Sequence, residues 1–192
     1  MNESSASADY LDIGRQLARL LGTSLDGPSG DALKELARAY DPLANEARIN
    51  AEVFLFHKYL LVQTCVGMFP KSQVERVIGG LFAILNERAA GLDVSEERQA
   101  AMEQMWQMRA KQFDGPFAVD REHFLDEGSD GVYWKQSITQ FCHNVRTLDN
   151  PPDIWAGGAS PSHKASTSVT QAIDLLVGEM SELSKLHFGH AA

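Results

Sequence analysis

A chain of 192 residues with 44% apolar and 22% charged side chains has ordinary globular usage, and in one domain it is long enough to bury most of the surface its unfolded form exposes. The formal net charge of −9 sets most of its surface against polyanions, so neither nucleic acid nor an anionic membrane is an expected partner. The opening MNESSASADY lacks a basic n-region and an apolar h-region, which argues against a secretory signal; residues 1–9 read as a disordered tail, and the cytoplasm as the compartment.

From residue 10 onward a single helical domain is expected. Leu11, Ile13, Leu17, Leu20 and Leu21 recur at helical spacing and stop at Gly22, describing a docking helix. Beyond the turn-rich GTSLDGPSGD, a shorter helix is predicted from Asp31 to Tyr40, with Leu33, Leu36 and Ala37 facing inward. Asp41 and Pro42 then supply an N-cap and a first-turn proline for a long helix from Leu43 to Phe69.

That long helix holds the most apolar stretch of the chain, Ile49 to Phe69. It has the roughly twenty residues a membrane span requires, yet Asn50, Glu52, His57, Lys58, Gln63 and Thr64 make it too polar for lipid. At about 100° per residue, Asn50, His57 and Thr64 align beside Lys58 as a wetted stripe, and the remaining apolar circumference makes this the central helix. Glu52 and Gln63 fall instead on the side of Phe56 and Tyr59, where Arg48 is the i, i+4 partner for the carboxylate. Arg48, Glu52, His57, Tyr59 and Gln63 are therefore the candidate site for a small polar ligand. The plainer reading of the same residues is a buried Arg48–Glu52 ion pair that fixes helix register.

Phe69 and Pro70 end this helix. Ser72 with Glu75 reads as a capping box for the next, whose Val74, Val77, Ile78, Leu81, Phe82 and Leu85 form an inner face. The short connection predicts antiparallel neighbours. Gly79 and Gly80, each costing about 1 kcal/mol inside a helix, point to close approach of another backbone, since no GxGxxG or GxxxxGK[ST] motif accompanies them. Gly91 closes the helix, and Asp93 with Glu96 caps a third segment bearing Met102, Met105, Trp106 and Phe113, either core filler or an adaptable binding face.

After Asp114, Gly115 and Pro116 mark a turn, and a brief helix is expected around Phe117, Val119 and Phe124. Asp120, Glu122, Asp126, Glu127 and Asp130 cluster about His123, and invite a metal reading. In calcium-loop register from Asp126, however, Gly128 replaces one ligand and Ser137 stands where the bidentate Glu belongs. His123, Asp126 and Asp130 are thus weak metal candidates, the ExxH and HExxH spacings of helical metal enzymes are missing, and no metal or cofactor is assigned.

Val132, Trp134, Ile138, Phe141, Cys142 and Val145 describe a further helix, with His143 beside its apolar face. Residues 146–166 read as an irregular connection anchored by Trp155, and Ser168 with Gln171 caps a final helix lined by Val169, Ile173, Leu176, Val177, Met180 and Leu183. Cys65 and Cys142, each in an apolar helical pattern, read as structural thiols in a reducing compartment.

The expected fold is an all-α single-domain bundle of about six to eight helices around one long central helix. No Ser carries a GxSxG elbow and no other catalytic spacing stands out, so the expected function is a non-catalytic interaction or self-associating module, a homodimer joined through the Val94–Phe113 segment or the final helix. The alternative is a helical small-ligand or metal-binding protein with its polar site on the central helix.

Overall fold

The computed structural model describes residues 9–91, 95–114, 132–146 and 161–189, and among these the chain forms seven helices and no strand. They are α1 (Tyr10–Leu25), α2 (Pro28–Tyr40), α3 (Glu46–Met68), α4 (Val74–Ala90), α5 (Glu96–Asp114), α6 (Val132–Val145) and α7 (Pro161–Phe188). The all-α bundle expected from periodicity is the fold observed, with α3 at its centre and touching every other helix. None of the described helices is long and apolar enough to cross a membrane.

From Glu52 to Cys65, helix α3 is covered on nearly every side. Ile49, Val53, Phe56, Leu60, Leu61 and Cys65 are all at or near zero exposure, and the Phe56 ring meets Phe113 from α5 and Phe141 from α6 at centroid distances of 5.2 and 5.4 Å. Fully burying side chains of this size contributes about 1.5–3 kcal/mol each, which is why a helix of ordinary propensity is held so firmly.

The Asn50–His57–Thr64 stripe is not wetted. Asn50 is exposed, but His57, Lys58 and Thr64 are buried at 1, 8 and 0% exposure. Periodicity marks such residues as polar without revealing that their polar atoms find partners inside the fold: the Thr64 hydroxyl donates to the Leu60 carbonyl at 2.9 Å, and His57 and Lys58 are met by α2, α4 and α5.

Helix α4 touches α3, yet its principal partner is α1. Gly14 and Gly80 bring the two backbones together: a Cβ on Gly80 would collide with the Tyr10 carbonyl, and one on Gly14 with the Gly80 carbonyl. Gly79 meets nothing, so the expected backbone contact is made by Gly80 alone. The Tyr10 hydroxyl then donates to Gln73 at 2.7 Å at the head of α4.

Several helix ends differ from expectation. Helix α1 continues through Gly22 to Leu25, and α2 begins at Pro28. Asn45, not Asp41, caps α3 by accepting from the Arg48 amide at 2.8 Å, while Asp41 ends α2 and accepts from the Leu43 amide. Gln73 rather than Ser72 precedes α4 without a side-chain cap, and the Ser95 hydroxyl accepts from Arg98 at the start of α5. Helix α7 already includes residues 161–166, so Ser168 lies buried within it instead of capping it. Each error has one cause: local cap chemistry offers several starting points, and packing selects among them. Of the expected tail at 1–9, Asp9 instead caps α1 by accepting from the Leu11 and Asp12 amides, and residues 1–8, Asp93, the His123 loop and its brief helix, and Trp155 lie outside the described residues.

Candidate functional site

The five candidate residues of α3 do not converge; they point in three directions. Glu52, Tyr59 and Gln63 face α5, His57 faces α2, and Arg48 reaches α6.

The α5-facing group is built around a carboxylate. Glu52 is 2% exposed and receives the Arg109 guanidinium: Nε donates at 3.0 Å to both carboxylate oxygens, and Nη2 donates at 2.6 Å to Oε1. Arg109 Nη1 donates to Gln112 Oε1 at 2.7 Å. One turn or more along each helix, Gln63 Nε2 donates to Asp114 Oδ1 at 2.9 Å, and the Tyr59 ring lies 5.2 Å from that of Phe113. A buried ion pair is tolerated when charge-assisted hydrogen bonds replace the lost hydration, and here guanidinium and carboxylate do so directly.

The Arg48–Glu52 pair is thereby corrected. Arg48 instead donates through Nη2 and Nε to the Asn144 carbonyl at 2.9 and 3.3 Å. Asn144 lies in the last turn of α6, whose carbonyls lack helical partners, so a cation there satisfies both a hydrogen-bond deficit and the helix dipole. The same-helix pair is not formed: the Arg109 guanidinium, from across the core, takes both Glu52 oxygens, and Arg48 is engaged by the Asn144 carbonyl. Sequence reasoning missed Arg109, although a signal existed: it occupies the same stripe as Met102, Trp106 and Phe113, a charged residue at an inward position.

His57 is fixed by two bonds. Its Nδ1 lies 2.9 Å from the Val53 carbonyl, which can only accept, so Nδ1 carries the proton; Nε2 then accepts from the Ser29 hydroxyl at 3.1 Å. Burial pushes the ring well below its ordinary value, to about 4, so the imidazole is neutral and its tautomer set. The pair ties the first turn of α2 to the middle of α3.

Lys58 occupies a third environment. Its ammonium lies 4.2 Å from the Trp106 centroid and 4.5 Å from that of Phe82, and the two rings meet edge to face at 6.0 Å. Burial lowers the amine to about 8, with Glu103 acting in the opposite direction. Trp106, read from the sequence as either core filler or part of an adaptable face, is turned inward and 8% exposed.

Both cysteines are buried and free, and burial raises each thiol to about 12, which leaves no thiolate for nucleophilic or ligand chemistry. His143 is half-buried beside the Tyr40 ring and lowered by that burial and by Arg146. Among the described residues no three His, Cys, Asp or Glu side chains are grouped to hold a metal; His123, Asp126 and Asp130 lie outside them. Chemically, these α3 polar groups join α3 to its neighbours: Glu52 and Gln63 to α5, and His57 to α2. Compared with protein-family models, with curated proteins and with solved structures, the chain matches none.

Proposed function

We propose that this chain is a non-catalytic, self-associating helical module, in its simplest form a homodimer, and that it works in a reducing compartment such as the cytoplasm. The observation that carries the reading is a contrast between the inside and the outside of the bundle. The polar side chains of α3, where a ligand site would have to be built, are engaged within the fold: Glu52 with Arg109, His57 with Ser29, and Gln63 with Asp114. On the outside, α5 displays Met102 and Met108 at 46 and 48% exposure. A small ligand at Glu52 would have to displace a guanidinium making three close contacts, whereas a partner helix on α5 would cover apolar surface at no such cost.

The free, buried cysteines favour a compartment that keeps thiols reduced, and the net charge of −9 disfavours nucleic acid and anionic lipid as partners. Sedimentation equilibrium from low to high micromolar concentration tests the reading. The expected result is a shift toward twice the 21.1 kDa chain mass, and a chain that stays monomeric throughout refutes it.

A further inference from the structure

We infer that α5 is a releasable strap: it lifts from the bundle as one unit and uncovers an acidic, aromatic face of α3, made by Glu52, Phe56 and Tyr59, while the other helices stay folded. Of its nineteen residues α5 buries Trp106 and Phe113, with Met105 and Ala110 packed at the margin of the core. From Glu96 to Gln104 it buries no side chain. By contrast α2, thirteen residues long, buries seven, and α1 is interlocked with α4 through the backbones of Gly14 and Gly80. Apolar burial is the main term that resists a local opening, so a helix with two such anchors is weakly held.

The remaining anchors of α5 are polar. Arg109 holds Glu52, Asp114 accepts from Gln63, and Trp106 lies against the Lys58 ammonium. In each of these the closed state withdraws a charged or polar group from water, and opening gives that hydration back. They fix where α5 lies more than they oppose its leaving. What it leaves behind has its own support: Phe56 keeps the Phe141 ring of α6 at 5.4 Å, and the packing of α1 on α4 and of α2 on α7 does not pass through α5. Closed, the strap hides two matching surfaces, Trp106, Arg109 and Phe113 on one side and Glu52, Phe56 and Tyr59 on the other. The release belongs to a single chain and does not depend on self-association.

Native-state hydrogen exchange of the full-length chain, followed residue by residue by NMR in low concentrations of guanidinium, tests this. Amides from Met105 to Phe113 are expected to exchange about a hundredfold or more faster than those from Leu55 to Leu61, through one shared opening of small denaturant slope. Trp106→Ala should speed that shared exchange about tenfold or more and leave α1, α2 and α4 at their wild-type rates. Equal protection of α5 and α3, with a common steep slope, would show that α5 leaves only on global unfolding. Rates that decline steadily from Glu96 to full protection at Phe113 would show fraying of one end. Trp106→Ala raising exchange equally in every helix would tie α5 to the whole fold. Each of these three results overturns the strap, and the first two need the wild type alone, so they decide even where the variant does not fold.

Discussion

Arg109 and Glu52, fifty-seven residues apart, meet in the core so closely that one guanidinium contacts both carboxylate oxygens. Because the carboxylate is almost fully buried, losing its cation leaves a charge in a medium that solvates it poorly. Arg109→Met should therefore destabilise the fold by roughly 3–5 kcal/mol. In a double-mutant cycle, Arg109→Met and Glu52→Gln should couple by about 2 kcal/mol or more, whereas Arg48→Met and Glu52→Gln should add independently to within about 0.5 kcal/mol. Chemical denaturation of the four-protein sets decides between the partners, and strong Arg48 coupling would discredit the assignment.

The glycine pair of α4 makes opposite predictions at adjacent positions. A methyl group at Gly80 collides with the Tyr10 backbone, which cannot yield without separating α1 from α4, so Gly80→Ala should cost about 3 kcal/mol or more. At Gly79 the same methyl enters open space, and Gly79→Ala should stabilise the protein by about 1 kcal/mol through helix propensity alone. Thermal denaturation of both variants should show melting temperatures displaced in opposite directions; displacement in the same direction would contradict the packing.

His57 should make stability depend on mildly acidic pH. Its folded-state value of about 4 lies below the ordinary 6.5, so the unfolded chain binds a proton that the folded chain refuses throughout this interval. Stability is then complete above pH 6.5 and falls as the pH drops toward 4, by about 2–3 kcal/mol. Other carboxyls begin to titrate at the lower end, and His57→Gln serves as the reference. The stability gap between wild type and variant should narrow between pH 7.5 and pH 4.5. Parallel pH profiles would show that His57 is not held neutral.

Trp106 should control the protonation of Lys58. Replacing the indole by alanine removes one wall of the amine's enclosure and admits water, so Trp106→Ala should cost about 3 kcal/mol and return the amine from about 8 toward its ordinary 10.5. Carbon-detected titration of the lysine side chains reads this directly, with Lys58→Met identifying the resonance. A Lys58 signal that titrates with the surface lysines in wild type would refute the enclosure.

The helices themselves were legible in the residue pattern because burying one face of a helix leaves a period in the sequence. Leu33, Leu36 and Ala37 point inward on α2, Val77 and Leu81 on α4, and Leu176 and Met180 on α7, as spacing alone indicates. The central position of α3 was legible for the same reason, since its apolar residues run almost around the circumference. Gly80 was legible as a site of close approach, because a helix tolerates glycine at a cost that only packing offsets.

The polar site was legible in composition but not in connectivity. Glu52 and Gln63 stand out on an apolar face of α3, yet the sequence offers Glu52 a local arginine, Arg48, and a distant one, Arg109, without ranking them. Periodicity likewise marks His57 and Lys58 as polar, and cannot foresee that Ser29 and the Trp106–Phe82 rings arrive to bury them. The residue pattern determined which surfaces form helices and which must be covered, because hydrophobic burial acts on faces and so leaves a local period. Only the tertiary structure decided which charge meets which, because a hydrogen bond or ion pair depends on a few ångströms between atoms far apart in the chain, and that distance is set by how the helices pack.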